Sequence, residues 1–339
     1  MKKIPDLMRA AVLEQYGDND AIKLTNIAIP KLGAMDVLVE VKAASVNPLD
    51  TRIRDGKLKL VLPFKLPVVL GNDLAGIVVG VGSKVAKYQI GDEVYARCDT
   101  QRIGSFAEYI AVEGSNVSLK PKNLTMEEAA SLPLVALTAW QVLVEKANIQ
   151  KGQKVLIHGG AGGVGSVAIR LAHHLGAYVA TTASKADFEK VRKYGADTVI
   201  DYKTQDFSKL IKDYDLVLDS RGGETLDKSL LVLKPGGKVI SIDGTPDINM
   251  AKDLGLNPVM KLITIAMSYM TNKKAKKLGV QYAFHFMKPS GSQLDSLRQL
   301  IESGVICPIV DKVYALSATK EALTYSEFGK PKGKVVIKI

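Results

Sequence analysis

The sequence of 339 residues contains only two cysteines, Cys98 and Cys307, and a single tryptophan. Two cysteines so far apart exclude a disulfide framework and a cysteine-rich zinc lobe. Scarce cysteine also favours a reducing compartment. None of the four histidines stands with serine and aspartate in an arrangement that suggests a hydrolase, so no histidine is assigned to catalysis.

Long apolar runs are absent as well. The most apolar late stretch, residues 262–270, is about half as long as the roughly 20 residues that a membrane-spanning helix needs. The basic N-terminus shows neither the extended apolar segment nor the small-residue cleavage site of a secretory signal. We therefore expect a cytoplasmic protein without a membrane partner.

Acidic residues are the minority charge, because 46 Lys and Arg against 35 Asp and Glu give a net charge of +11. Most lysines are scattered, which is typical of a solvated surface, and one cluster lies at residues 273–277. The alternatives are binding of nucleic acid and attraction of a phosphorylated cofactor. No nucleic-acid-binding module is recognisable, so we expect no nucleic acid partner.

Apolar residues make up 47% and charged residues 24% of the chain, the balance of a soluble globular protein of about two domains. Short alternating apolar runs up to about residue 124 predict a barrel-like β domain. A run with helical apolar spacing begins at Met126, with Thr125 as its cap.

From Lys154 onward strands and helices alternate, which predicts an α/β fold with a doubly wound parallel sheet. A strand–helix–strand pattern after residue 304 is expected to return to the first domain. The predicted domains are therefore residues 1–124 with 305–339, and residues 125–304.

A glycine-rich stretch, HGGAGGVGS at residues 158–166, follows the first of these strands and opens a helix. It contains the G-x-G-x-x-G pattern, in which the glycines permit a tight turn, close approach of the backbone to a pyrophosphate, and close helix packing. Free N–H groups at the helix start favour phosphate. A glycine turn without a ligand is the alternative. The residues predicted to bind the cofactor here are Gly160, Ala161, Gly162, Gly163, Val164 and Gly165.

The acid that would bind the ribose 2′-hydroxyl of NAD about 20 residues further on is missing. The second strand ends instead at Ser184 and Lys185, whose hydroxyl and cation suit a 2′-phosphate. Tyr202, after the third strand, is placed to close over that phosphate or the adenine. These residues predict NADPH rather than NADH. The alternatives are an exposed lysine at a helix start and an ordinary tyrosine at a strand end.

Five stretches, at residues 45–56, 70–96, 104–112, 132–143 and 159–166, carry a resemblance to a known family. In this order they are similar to the medium-chain dehydrogenase/reductase superfamily, over essentially the whole chain. Within it, the sequence most resembles the zinc-free quinone oxidoreductases and the alkenal or enone reductases. The resemblance implies a GroES-like β-rich catalytic domain and a Rossmann domain with a doubly wound parallel sheet.

Zinc members of that superfamily carry a cysteine near residues 45–50 and a G-H-E-x-x-G motif. Here Asn47 replaces the cysteine, Asn72 the histidine and Asp73 the glutamate. Neutral asparagines are poor ligands for Zn²⁺, so we expect no metal. A zinc-family label attached by overall similarity would then be wrong about the metal.

Without a metal, the oxygen of an alcohol or ketone is hard to polarise, whereas conjugated acceptors need less help. The resemblance thus implies NADPH-dependent hydride transfer to quinones or α,β-unsaturated carbonyls, which are small, hydrophobic and electron-poor. The alternatives are an enoyl-thioester reductase of the same family, and a low-turnover NADPH-binding protein that acts as a sensor or binds RNA. Related proteins form homodimers through edge strands, for which residues 281–287 are a candidate.

The resemblance implies four further site residues. Asn47 would contact the nicotinamide ribose or the substrate oxygen, unless it is a turn asparagine. Arg52 stands where quinone oxidoreductases often have a tyrosine, and would stabilise an enolate or attract a polar substrate, unless it faces solvent. Thr138 would lie beside the nicotinamide or the phosphates, or bond to its own helix. Ser241 would contact the nicotinamide through its backbone.

Overall fold

The computed structural model describes residues 4–339. These group into two compact units, one formed by the residues up to Leu137 with Lys288–Ile339, and the other by Thr138–Met287. The first unit therefore includes two helical segments, residues 125–137 and 288–304, that the sequence analysis assigned to the second domain. One of them packs through Leu294, whose carbonyl oxygen accepts a hydrogen bond of 2.7 Å from the Tyr95 hydroxyl. The exact domain bounds stay a prediction.

The strands of both units are short, with three to seven residues in most cases. In chain order they are β1 Leu7–Leu13, β2 Ile22–Ala28, β3 Asp36–Ser45, β4 Val68–Val69, β5 Asp73–Val81, β6 Glu93–Arg97, β7 Tyr109–Glu113, β8 Val117–Leu119, β9 Lys154–Ile157, β10 Tyr178–Ala183, β11 Thr198–Asp201, β12 Tyr214–Asp219, β13 Leu233–Ser241, β14 Gln281–Phe284, β15 Val310–Ala315 and β16 Lys334–Lys338.

Most helices lie in the second half of the chain. They are α1 Pro48–Arg54, α2 Met126–Ala130, α3 Pro133–Trp140, α4 Gly163–His174, α5 Phe188–Lys193, α6 Phe207–Leu210, α7 Gly223–Leu231, α8 Ile248–Asp253, α9 Pro258–Lys277, α10 Gly291–Glu302 and α11 Thr319–Phe328.

The run of helical spacing after Thr125 is divided into three pieces. Thr125 caps α2 in a capping box with Glu128, as predicted. The helix then stops before Pro133, which starts α3, because proline cannot donate the backbone hydrogen bond that a continuous helix requires. A π-helical turn at Gln141–Lys146 follows α3.

The β-rich unit is organised around β3. A seven-stranded sheet has the order β15-β16-β3-β5-β6-β8, with β7 also paired to β3, and a three-stranded sheet has the order β2-β1-β4. The end of the chain joins the first sheet, because β16 runs antiparallel to β3 with Val336 opposite Ser45. This pairing brings the last strand next to the turn between β3 and α1.

The second unit contains a six-stranded sheet with the order β11-β10-β9-β12-β13-β14. Every neighbouring pair is parallel. The central strands are apolar because helices cover both faces of such a sheet, and Leu156, Val217 and Val239 are fully buried. The predicted α/β class, a GroES-like β-rich domain with a Rossmann doubly wound sheet, is confirmed.

Helix α9 has an unusual distribution of side chains. Its buried residues are small or carry hydroxyl groups, namely Thr264, Ser268, Thr271 and Ala275. Large apolar side chains point outward instead, including Leu262 at 67% and Met270 at 59% exposure. Within residues 4–339, no helix is both long and apolar enough to cross a membrane.

Candidate functional site

The glycine-rich loop lies between the end of β9 and the start of α4, as the sequence predicts. A Cβ atom at Gly160 would collide with Thr181 Oγ1, and one at Gly165 would collide with the carbonyl oxygen of Gly159. At Gly162 the nearest atom to a Cβ would be the same carbonyl oxygen, at 3.2 Å. The outer two glycines therefore allow the loop to fold tightly, while the middle one leaves the surface beside it uncrowded.

This loop fits the pyrophosphate of a dinucleotide. Gly162 is the N-cap of α4, and Gly163 and Val164 are its first residues. The first N–H groups of a helix have no partner within the helix and carry partial positive charge. The N–H groups of Gly160 and Gly162 donate to the carbonyl oxygens of Thr182 and Gly159, at 3.1 and 2.9 Å. The backbone donors of this glycine cradle (residues 160–165) that can face a phosphate are therefore those of Ala161, Gly163, Val164 and Gly165.

A cavity of about 360 Å³ lies next to the loop, at the carboxyl ends of the parallel strands. It is lined by His158, Gly159, Thr182, Tyr202, Lys203, Thr204, Gln205, Asp206, Phe207, Arg221, Glu224, Thr225 and Lys228. Tyr202 thus lines it, whereas Ser184 and Lys185 are not among these residues. The Ser184 hydroxyl donates to Asp187 Oδ2 at 2.6 Å, and Lys185 is exposed at the start of a short 3-10 turn.

The cavity carries cations that the sequence analysis did not single out. Lys228 is neutralised, since it forms ion pairs with Asp206 and Glu224 at 3.2 and 2.9 Å. Arg221 has its guanidinium carbon 6.0 Å from the centroid of the Tyr202 ring. Its position two residues after the end of β12 could have identified it, because the carboxyl ends of parallel strands converge on one ligand site.

His158 is buried at the wall of this cavity with 2% exposure. Its Nδ1 lies 3.1 Å from Thr182 Oγ1, and its Nε2 lies 3.0 Å from Ser229 Oγ. Burial, and to a smaller extent the charge of Arg221, lowers the pKa of His158 to about 3. The ring is therefore neutral at physiological pH and ties the start of the loop to β10 and α7.

Ser241 ends β13 beside the end of β12. Its hydroxyl donates to Asp219 Oδ2 at 2.6 Å, and its carbonyl oxygen accepts from the His285 N–H at 2.8 Å. Burial raises the pKa of Asp219. Thr138 lies in α3 with 3% exposure. The two residues are thus buried in the second unit, and their predicted contacts with the nicotinamide stay predictions.

A second polar group lies inside the β-rich unit, at the positions where zinc members of the superfamily have ligands. Asn47, Asn72 and Asp73 are 1%, 0% and 0% exposed. The Asn47 amide nitrogen donates to Asp73 Oδ2 at 2.8 Å, and its Oδ1 accepts from Lys334 Nζ at 2.5 Å. The Asn72 amide nitrogen donates to Asp50 Oδ1 at 2.7 Å.

Asp50 occupies the third position of α1 and closes a capping box with Asn47. Its Oδ2 accepts from the Asn47 N–H at 2.7 Å. Burial raises the pKa of Asp50 to about 6, although the hydrogen bonds from Asn72 and Asn47 oppose this rise. Burial also raises the pKa of Asp73 and lowers the pKa of Lys334. Each of these shifts reflects the energetic cost of a charge that is kept from water.

These residues do not fit a zinc ion. No group of three or more His, Cys, Asp or Glu side chains within residues 4–339 could hold a metal. The Lys334 ammonium already lies against Asn47 Oδ1, where a metal ion would be repelled. Sequence reasoning identified the two asparagines and Asp73 but missed Asp50 and Lys334. The spacing of Asp50 three residues after Asn47 is a helix-capping signal that could have found it.

Arg52 lies on α1, where its side chain is partly buried. It follows directly after Asp50 and Thr51, two residues that face the interior of the unit with 0% and 6% exposure. Arg52 is thus near the polar group in sequence, and its contact with a substrate stays a prediction.

Comparisons with known proteins match this architecture. The family model described as alcohol dehydrogenase GroES-like domain matches residues 33–122, and the one described as zinc-binding dehydrogenase matches residues 194–337. The second description names zinc, as expected for a label that is attached by overall similarity. Asn47, Asn72 and Asp73, at the positions of the zinc ligands, do not fit this metal.

Relatives match over nearly the whole chain. The NAD(P)H oxidoreductase RTN4IP1, mitochondrial, of Danio rerio is 36% identical over 98% of this chain and 92% of its own. The NADPH-dependent alkenal/one oxidoreductase, chloroplastic, of Arabidopsis thaliana is 38% identical over 98% and 80%. The solved quinone oxidoreductase from Coxiella burnetii superposes with a TM-score of 0.86 at 30% identity, covering 98% and 99%. The chain therefore belongs to the medium-chain dehydrogenase/reductase superfamily, among its quinone and alkenal/enone oxidoreductases.

Proposed function

We propose that the protein is an NADPH-dependent oxidoreductase that reduces quinones or α,β-unsaturated carbonyls. The glycine cradle beside the cavity carries this proposal, since it fits a dinucleotide and β10 is followed by Ser184 and Lys185 rather than by an acid for a ribose 2′-hydroxyl. The two acids of the cavity, Asp206 and Glu224, are paired with Lys228. The names of the Arabidopsis and Coxiella relatives support the two substrate classes.

When NADPH is bound, it supplies the hydride. The residues of the chain bind and orient the cofactor. The backbone donors of the glycine loop hold the pyrophosphate. Tyr202 and Arg221 line the cavity for the adenosine end, and Lys203 adds a cation for the 2′-phosphate. Lys185 is a further exposed cation, just after the end of β10. The Ser184 hydroxyl can donate to a phosphate once it gives up its hydrogen bond to Asp187.

We further propose that the reaction does not require zinc. Hydride addition to a conjugated acceptor leaves the negative charge delocalised in an enolate or a hydroquinone monoanion, so fixed charges and hydrogen bonds suffice for its stabilisation until it takes up a proton from water. Asn47 and Arg52 are the proposed catalytic residues. In the structure both amide hydrogens of Asn47 are donated, to Asp73 and to the Ser45 carbonyl oxygen. A contact with substrate therefore requires one of these bonds to be exchanged.

NADPH oxidation with a panel of acceptors tests the function. We expect turnover with 1,4-naphthoquinone, acrolein or a long-chain enone. Turnover with crotonyl-CoA alone would instead assign the chain to the enoyl-thioester reductases. Tight NADPH binding without turnover of any acceptor would contradict the proposed enzymatic activity. It would instead favour a low-turnover NADPH-binding protein that acts as a sensor or binds RNA.

We also propose a homodimer. Strand β14 is an outer strand, which among the described residues pairs with β13 alone, and α9 packs against it. Pairing of two β14 edges would extend the sheet and bring a second copy toward the exposed apolar side chains of α9. Light scattering after gel filtration tests this. Met270→Glu should yield monomers, whereas Leu210→Glu, at a similarly exposed position on α6, should not.

We propose a cytoplasmic location because Cys98 and Cys307 are free thiols, which suits a reducing compartment. The mitochondrial and chloroplastic descriptions in the names of relatives concern those proteins. Fractionation of cells that express the full chain tests the location, and recovery with organelles would contradict it.

A further inference from the structure

Four charged side chains are buried together in the β-rich unit. Asp50 and Asp73 are each 0% exposed, Arg97 is 1% exposed and Lys334 is 8% exposed. They come from four separate elements, namely α1, β5, β6 and β16. Their formal charges cancel, which is the arrangement in which buried ions are tolerated.

Lys334 approaches this group from the last strand of the chain. Its ammonium donates to the carbonyl oxygen of Val46 at 2.8 Å and to Asn47 Oδ1 at 2.5 Å. With Oδ1 turned to the cation, the amide nitrogen of Asn47 is turned to Asp73 Oδ2. The cation therefore acts together with the Asp73 carboxylate and the Ser45 carbonyl oxygen to fix which way the carboxamide of Asn47 faces.

Asp73 is connected to three elements through its two oxygens. Its Oδ2 also accepts from the Ser45 hydroxyl at 3.1 Å, and its Oδ1 accepts from the Leu134 N–H at 2.9 Å. Hydrogen bonds from three donors favour the ionised form of this carboxyl group, against the effect of burial. A buried carboxylate is strongly destabilising without a nearby cation.

Arg97 is the other cation, but it faces a different part of the site. Its Nη1 donates to the carbonyl oxygen of Cys98 and to Thr100 Oγ1, at 2.5 and 3.2 Å. It thus secures the loop after β6, whereas Lys334 alone among these cations contacts Asn47.

We propose that Lys334 is a positioning residue that takes the electrostatic place of the metal ion of the zinc members. Its ammonium orients Asn47 and compensates the carboxylates of Asp73 and Asp50, so that the turn between β3 and α1 is fixed without a metal. The inference rests on the proposed function only in that Asn47 is a proposed catalytic residue. The positioning itself does not depend on which acceptor is reduced.

Charge-balanced substitution tests this. Lys334→Met keeps much of the side-chain length but leaves two carboxylates with one cation, and it should lower the melting temperature by roughly 10 °C. Asp73→Asn should also lower it. The double variant loses one charge of each sign, and without the cation Asn47 is free to turn its oxygen to the new amide. We expect the double variant to melt well above Lys334→Met.

Lys338→Met is the matched control, because this lysine lies on the same strand with a side chain that is 68% exposed and pairs with Glu127. Its effect should be about 2 °C or less.

The proposal would be overturned if the melting temperature of the double variant fell by the sum of the decreases in the two single variants, or if the double variant did not fold. A Lys334→Met protein that melts like the control would also overturn it. If Lys334→Met alone does not fold, recovery of a folded double variant supports the proposal. These melting experiments need neither NADPH nor an acceptor. The absence of turnover in the acceptor panel would therefore contradict the proposed function without affecting the proposed role of Lys334.

Discussion

The ammonium of Lys334 lies 2.5 Å from Oδ1 of Asn47, although the two residues are 287 positions apart in the sequence. This contact exists because β16 pairs with β3 and so carries Lys334 to the turn that holds Asn47. A buried ion network thus occupies the positions at which zinc members of the superfamily have their ligands. Four predictions concern this network and the cofactor site.

The first prediction concerns pH and Asp50. Burial raises the pKa of Asp50 to about 6, above the ordinary value of 3.8 for an aspartate. Between these two values the folded chain binds the proton more tightly than the unfolded chain, so the contribution of Asp50 to the free energy of unfolding falls as pH rises. Asp50→Asn removes this dependence. The stability of the variant relative to the wild type should therefore increase from pH 4 to pH 7, by up to about 3 kcal/mol.

Urea unfolding at several pH values checks this result, with Asp227→Asn, a change at an exposed aspartate, as the control. Asn72 can adapt to the new amide, because its Oδ1 has no partner within the described residues. A relative stability of Asp50→Asn that is constant across pH 4 to 7 would show that Asp50 does not titrate in this range.

The second prediction concerns the glycine cradle. Gly165→Ala places a Cβ against the backbone of Gly159, which cannot move aside as a side chain can. We expect NADPH affinity to fall at least about tenfold, because the loop must open where it approaches the pyrophosphate. Fluorescence titration with NADPH measures this. Gly17→Ala is the control, since its Cβ would have an ordinary 3.6 Å contact in the other unit.

The third prediction concerns the cations at the adenosine end. Arg221→Ala and Lys185→Ala should each raise the KM for NADPH about tenfold or more, with a much smaller effect on NADH, because charge-assisted bonds to a 2′-phosphate are lost. Arg192→Ala, an exposed arginine of the same unit that lies over Phe188, is the control. Equal effects on NADPH and NADH would remove the substituted residue from the phosphate site.

The fourth prediction concerns His158. Since burial keeps this ring neutral, His158→Gln should leave the pH dependence of kcat unchanged, while it lowers the melting temperature through the lost contacts with Thr182 and Ser229. Steady-state rates between pH 5 and 8 measure this. A limb of the pH profile that disappears in the variant would assign His158 a catalytic proton.

The sequence predicted the parts of the molecule that depend on local pattern. The Rossmann sheet and its glycine loop follow from strand–helix alternation and from spacings within a few residues. Lys334 was missed because its role arises only when the last strand pairs with β3. Arg221 was missed because the cavity forms from the ends of separate strands, and Ser184 was expected at the phosphate without foreseeing its bond to Asp187.

The most direct test of the central claim is the rate of NADPH oxidation by the purified protein with 1,4-naphthoquinone or an enone, measured before and after treatment with a strong zinc chelator. We expect a clear rate that the chelator does not change, with zinc far below one ion per chain. Stoichiometric zinc whose removal abolishes the rate would contradict the metal-free proposal, and the absence of any rate with every acceptor would contradict the enzyme itself.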